Sequence, residues 1–224
     1  AFTAEITPFL GSSGPQEVVV FAEEDPHDLE KPRGKQDWRL EPHSIWYPRT
    51  TGIWQTVWYE VVAASYIESL RWTPNLERWE IALHAVIEGA NADELALRVR
   101  LRNGSHVLAH DTYGVLSHEV HRRIGFSDPG IDDHRNELLW SPEQPTLIHA
   151  DLALMQGSRV LDEITSYTAL RSIATQREKL VLNGRYYNLR MVLDQGYWPD
   201  TLMTAPSGEA LRRDVELAKA MGFN

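Results

Sequence analysis

The chain contains no cysteine, which excludes a disulfide framework and any thiolate metal site. It also lacks a long apolar run. No stretch approaches the roughly 18 consecutive apolar residues that a membrane span needs. Basic residues are scarce relative to acidic ones, 22 Lys and Arg against 32 Asp and Glu, for a formal net charge of −10. A surface this acidic repels phosphate, so nucleic acid and anionic membrane are poor partners and neither is expected. The opening AFTAEITPFL has no initiating Met, no basic n-region and no continuous apolar stretch, so it is not a signal peptide. It enters mid-pattern and reads as a processed or trimmed N-terminus, which would hide an export signal. The compartment stays open, with the cytoplasm favoured. There is no repeat of solenoid period and no low-complexity tract.

What is present is ordinary for a soluble globular protein: 42% hydrophobic and 24% charged over 224 residues, room for one large domain or two small ones. Tryptophan is the exception. There are eight, and Trp38, Trp46, Trp54 and Trp58 fall close together. Flat aromatic faces suit the C–H faces of sugars, although a single Trp is more often a core residue.

The alternation of the sequence is that of β-structure. Val18-Val19-Val20-Phe21 resembles a buried strand, and a polar loop follows from Asp25 to Asp37. Gly52 to Val62 alternates tolerably as a second strand. Leu95, Leu97, Val99 and Leu101 alternate with Ala96, Arg98, Arg100 and Arg102, the pattern of a strand with one face buried. Asn103-Gly104 then predicts a hairpin turn. Ile148, Ala150, Leu152 and Leu154 form another such strand, turning at Gln156-Gly157 and returning over Val160 to Thr165. Short strands between turn signals, over a block of about 105 residues, predict an immunoglobulin-like antiparallel sandwich. Beyond it come a hairpin around Asn183-Gly184, a buried strand over Leu189 to Leu193, and a helix capped by Ser207 that closes at Gly222. Strand, loop and helix are the first unit of an α/β barrel or doubly wound sheet.

Four ordered motifs make this organisation specific. Pro32-Arg33-Gly34-Lys35-Gln36-Asp37-Trp38, followed by Trp46 to Val57, resembles the end of the sugar-binding jelly roll of glycoside hydrolase family 2, the β-galactosidase and β-glucuronidase family. Trp140-Ser141-Pro142 with Pro145-Thr146-Leu147 resembles a signature of its immunoglobulin-like domain. Asp162-Glu163 through Tyr167, with Leu170-Arg171-Ser172-Ile173, is similar to that domain's exit strand. Leu182-Asn183-Gly184 and Leu189-Arg190 are similar to the hairpin leading into barrel strand 1. The resemblance implies a mainly β chain in three parts: 1–66, the C-terminal part of the jelly roll; 67–172, the immunoglobulin-like sandwich; and 173–224, the start of a TIM barrel. Two positions depart from the β-galactosidase branch. Ser44 stands where that branch has an acidic residue, and Leu193-Asp194-Gln195 stands where it has Asn-x-His. Both argue against a plain lactose-cleaving enzyme.

Retaining glycosidases act through two carboxyls about 5–5.5 Å apart. In the family both are glutamates on later barrel strands, so neither is expected among these residues, and no catalytic residue is assigned. Asn136-Glu137 imitates the family's acid/base dipeptide but falls inside the sandwich block. The expected contribution is substrate contact. Asp194, Gln195, Tyr197 and Trp198 follow strand 1, at the barrel mouth, with hydroxyl-binding and ring-stacking side chains. The competing reading of Asp194 and Gln195 is that they satisfy backbone groups of their own loop. Arg33 and Lys35, beside Gln36, lie in a loop that could reach the same mouth, although a solvated or interdomain role is the commoner one. No metal or cofactor is expected. His118-Glu119-Val120-His121 lacks the helical spacing of a zinc motif, and Asp128, Asp132, Asp133 and His134 lack the spacing of an EF-hand, so both read as polar surface. Asn103-Gly104-Ser105 fits a glycosylation sequon but is more simply a turn.

The leading function is the non-catalytic portion of a retaining β-glycosidase. Its partners would be a carbohydrate substrate and the remainder of the barrel, with a homo-oligomer allowed. A stand-alone carbohydrate-binding sandwich is the alternative, and a structural or adhesive module a third. The strand–helix unit at the end separates them, since neither a lectin nor an adhesion module needs the start of a barrel.

Overall fold

A computed structural model describes residues 2–25, 27–28, 30–89, 94–126 and 137–224. The chain divides into two compact units, Ala1–Trp58 with Leu193–Leu217, and Tyr59–Val192 with Ala218–Asn224. No helix among the described residues is long and apolar enough to cross a membrane.

The second unit holds the sandwich. Strands β1 (Ser65–Asn75), β2 (Glu80–Gly89) and β5 (Glu119–Gly125) form one antiparallel sheet in the order β1-β2-β5. Strands β3 (Leu95–Asn103), β4 (His106–Gly114), β6 (Ile148–Gln156) and β7 (Arg159–Thr168) form the other, in the order β4-β3-β6-β7. Successive side chains of a strand point to opposite faces, so alternate apolar residues of both sheets meet in one core. Ile81, Leu83, Ala85 and Ile87 come from β2, and Leu97, Val99 and Leu101 from β3. Ile148, Ala150 and Leu154 come from β6, and every one of these ten is at most 1% exposed. Burying each large aliphatic side chain contributes about 1.5–3 kcal/mol. Two polar contacts tie the sheets along one edge: Ile67 N–H donates to Asp162 Oδ2 at 2.9 Å, and Trp72 Nε1 to Ser166 Oγ at 3.1 Å.

The expected strands 95–101 and 148–154, with their buried faces, are present. The turns shift by one residue. Both hairpins pair through Asn103 and Gln156, leaving Gly104 and Gly157 as the first loop residues with φ of 56° and 58°. Glycine alone takes that conformation without strain, so it sets the register. A small antiparallel meander follows, β8 (Ile173–Gln176), β9 (Lys179–Leu182) and β10 (Arg185–Tyr186), with Asn183 and Gly184 both at positive φ in its second turn, as predicted.

Three expected strands are not formed. Val18 to Phe21, Gly52 to Val62 and Leu189 to Leu193 lie outside every strand among the described residues, and Val19, Phe21, Val61 and Leu193 are about as exposed as in an open chain. β-propensity expresses packing against neighbours, and without a paired strand it does not hold an extended run in a sheet. Among the described residues of 2–64 there are one short 3₁₀ turn (Thr7–Phe9) and an isolated bridge between Gln36 and Tyr47. The helix is present as expected: α1 (Gly208–Ala220), with Ser207 Oγ accepting from Ala210 N–H at 3.1 Å and Gly222 closing it at φ 90°. Its strand is not. Residues 188–190 are held instead by Asn224, whose N–H donates to the Arg190 carbonyl at 3.0 Å while its Oδ1 accepts from Arg190 N–H at 2.7 Å.

Candidate substrate-contact site

The first unit contains one buried carboxylate. Asp37 is 1% exposed, and its oxygens accept from the N–H groups of Arg39 (3.1 Å) and His43 (2.6 Å) and contact His43 Nδ1. Burial raises its pKa, but these hydrogen bonds outweigh it and hold the carboxyl at about 2. The closed loop 37–43 sets Trp38 edge-on to both His43 and Trp46, with ring centroids 5.3 and 5.8 Å away. Arg33 lies over the Trp38 ring at 5.0 Å. Its Nη1 is buried and has no hydrogen-bond partner among the described residues.

The backbone then carries this cluster to a second one. Tyr47 N–H donates to the Lys35 carbonyl (2.9 Å), and Asp37 N–H to the Tyr47 carbonyl (2.8 Å), pairing the two segments in parallel around Gln36. Gln36 Oε1 accepts from Thr50 N–H at 2.6 Å. Tyr47 in turn donates from its hydroxyl to Gln195 Oε1 at 2.6 Å and stacks on Tyr197, with ring centroids 4.1 Å apart and planes 11° from parallel. Burial, and then the neighbouring Tyr47, push the Tyr197 hydroxyl pKa up.

Of the residues singled out from the sequence, Gln195 and Tyr197 are thus brought together, and Arg33 stands in the adjoining aromatic cluster. Lys35 contributes its carbonyl, and its side chain is exposed. Asp194 spends Oδ1 on Gly196 N–H at 2.8 Å, the backbone role weighed against substrate contact. Trp198 pairs its backbone with Leu202 and is half-buried. Tyr47 was not singled out from the sequence. It lay inside the Trp46-Tyr47-Pro48 motif, but only the fold joins it to position 195.

In the second unit, Glu137 lines an open depression of ≈ 630 Å³ with Asn103, Gln144, Thr146 and His149. Its backbone carbonyl accepts from Gln144 Nε2 and Thr146 Oγ1. The Asp128, Asp132, Asp133 and His134 cluster, with Asn136, lies outside the described residues. Among those described, one grouping of three metal-ligating side chains occurs, His84, Glu119 and His121. Its two β5 members belong to the stretch read as plain polar surface.

Residues 65–171 match glycosyl hydrolases family 2. A putative β-glucuronidase of Formosa agariphila is 26% identical over 83% of this chain and 18% of its own length. A β-galactosidase of Yersinia pestis is 35% identical over 39% of this chain and 8% of its own. Among solved structures, β-glucuronidases of Bifidobacterium dentium and Ruminococcus gnavus superpose on 72% of this chain. Their TM-scores are 0.58 and 0.54, at 18% and 16% identity, over 27% and 25% of their own chains. Residues 65–171 are therefore similar in sequence to glycosyl hydrolases family 2, and the fold is shared with the two β-glucuronidase structures. It spans less than a fifth of the length of these curated relatives.

Proposed function

We propose that this chain is the non-catalytic portion of a retaining β-glycosidase, with the sandwich bracing a barrel and the first unit reaching the sugar. The observation that carries the second half is the Tyr47–Gln195–Tyr197 assembly. Aromatic faces and a side-chain amide are what a pyranose with its hydroxyls needs. The unpartnered Arg33 Nη1 and the Lys35 ammonium would add donors to sugar oxygens, and Asp194 and Trp198 would flank the assembly. The barrel reading draws support from Asn224, which follows α1 and hydrogen-bonds back to Arg190. A β/α unit likewise returns its chain to the segment that precedes its helix. The chemistry itself requires two carboxyls about 5–5.5 Å apart, which this reading assigns to later barrel strands.

The test is an assay with 4-nitrophenyl β-glucuronide and β-galactoside, on this chain and on the longest polypeptide its gene encodes. Turnover is expected from the longer protein only, with Tyr197→Ala lowering kcat/KM there by roughly 3- to 10-fold through lost stacking. Turnover by the 224-residue chain that Glu137→Gln abolishes would overturn the assignment. Saturable sugar binding by this chain, with no activity in any longer form, would favour the stand-alone binding module.

A further inference from the structure

On the outer face of the sheet β1-β2-β5, His84 of β2 and His121 of β5 stand directly opposite one another. Their rings stack with centroids 4.0 Å apart and planes 19° from parallel. Glu119, two residues before His121, shares that face by strand alternation. Its Oε2 lies 2.7 Å from His121 Nε2, and its Oε1 lies 3.8 Å from His84 Nε2. One donor atom from each of the three falls within 4.8 Å of the others. A further observation singles out His84: its Nε2 is shielded from solvent and has no hydrogen-bond partner among the described residues. A buried ring nitrogen without a partner is disfavoured unless something occupies it.

We propose that His84, Glu119 and His121 bind a divalent transition-metal ion, with Zn²⁺ as the reference ion. Zinc holds imidazole nitrogen at about 2.0–2.1 Å and carboxylate oxygen at about 2.0–2.2 Å, so donors on a tetrahedral ion stand roughly 3.3 Å apart. Glu119 reaches His121 through Oε2 at 2.7 Å and His84 through Oε1 at 3.8 Å, on either side of that value. Binding therefore requires the carboxylate to turn and present its oxygens to one ion between the two imidazoles. Two imidazoles and one carboxylate suit Zn²⁺, Cu²⁺ or Ni²⁺ and disfavour the all-oxygen preference of Mg²⁺ and Ca²⁺. Water completes the fourth position. The charges around the site permit a cation. Arg123 on the same face faces Glu80 at 3.9 Å, and Arg71, opposite His84 on β1, is exposed. His118 is not a ligand, since it sits in the turn with Nδ1 toward the Ile87 carbonyl at 3.2 Å. The ion would clip β5, an edge strand, to the middle strand of its sheet, and would stabilise the sandwich by mass action.

The metal-stripped chain is titrated with Zn²⁺ by calorimetry and by competition against a chromophoric chelator, with Co²⁺ absorption reporting coordination. One ion per chain is expected, with a rise in Tm that chelator reverses. His121→Ala and Glu119→Gln alter exposed side chains only and should each weaken binding by at least roughly tenfold, the scale on which even outer-sphere changes act. His84→Ala should do the same, and His149→Ala, on the other sheet, should change nothing. Absence of stoichiometric binding, or binding that survives all three ligand substitutions, overturns the proposal. Loss on His149→Ala of the same size as on His84→Ala overturns it as well.

Discussion

Asn183 and Trp140, distant in sequence, are joined by a hydrogen bond from Asn183 Nδ2 to the Trp140 carbonyl, 2.9 Å long. The other end of the same amide, Oδ1, accepts from Ser172 N–H at 2.9 Å, and Asn183 N–H returns a bond to the Ser172 carbonyl. Arg171 covers the Trp140 ring at 4.7 Å, and Leu139 bridges Leu170. Three of the motifs that carried the family resemblance therefore meet at one side chain, which also holds φ at 49°. Asn183→Gly keeps that conformation and removes both side-chain bonds, so a loss of about 1–2 kcal/mol in urea unfolding is expected. Asn183→Ala should lose about 1 kcal/mol more, because alanine resists the left-handed region. Equal stability of the two variants would show that the backbone conformation costs alanine nothing.

The sandwich was legible because its strands bury one face, and burial writes a period of two into the sequence. Leu95 to Leu101 and Ile148 to Leu154 show this directly. Val18 to Phe21 and Leu189 to Leu193 have the same local chemistry and no partner strand, and local sequence does not encode the partner. The site was half legible for a similar reason. Gln195 and Tyr197 stood out by residue type. Their link to Tyr47 is a tertiary contact across nearly 150 positions, and the alignment of His84 with His121 is likewise made by strand pairing and not by local sequence.

Gly89 carries a constraint that no sequence pattern announced. It ends β2 opposite Ser65, at φ 117°, and a Cβ placed on it would lie 2.0 Å from the Ala64 carbonyl oxygen and 2.6 Å from Ser65 Cα. Both obstacles are backbone, so nothing flexible can move aside. Gly89→Ala is expected to cost at least about 2 kcal/mol and to speed amide hydrogen exchange at the start of β1. Gly104→Ala is the control. Its Cβ would meet open space, leaving only the left-handed penalty of about 1 kcal/mol. Comparable losses in the two variants would contradict the close approach at Ala64.

Asp37 gives the first unit an acid limit. Its carboxyl titrates at about 2 when folded, against an ordinary 3.8, so the folded loop binds this proton less readily than the open chain. The stabilisation is present in full above about pH 4 and is lost as the pH falls through about 2. The Arg39 and His43 amides, which donate to this carboxylate, are the local reporters. Their NMR shifts should move together over that window while the core strands stay unchanged. Asp37→Asn should flatten this titration and weaken the edge contacts of Trp38. A shared midpoint near pH 4 would mean that the hydrogen bonds do not hold the carboxylate.

The contrast between the packed sandwich and the runs outside any strand or helix predicts where the chain is cut first. Proteolysis under native conditions needs an extended segment to leave its hydrogen bonds and enter the protease, and segments without a ladder pay least to do so. Phe21 and Tyr59 are about 80% exposed, as is Leu193, and all three lie outside any strand or helix. Ile81, Leu97 and Ile148 sit in paired strands with no exposure at all. Brief chymotrypsin digestion, followed by intact mass measurement, should therefore show cleavage after Phe21, Tyr59 and Leu193 before any cut within β2, β3 or β6. The fragment that persists should contain residues 65–182 and retain the cooperative melt of the parent. First cuts within β3 or β6 would show that the two sheets do not form a stable core. Resistance at Phe21 and Tyr59 in a demonstrated monomer would mean that those runs are paired in solution, and that the jelly-roll strands expected from the sequence do form.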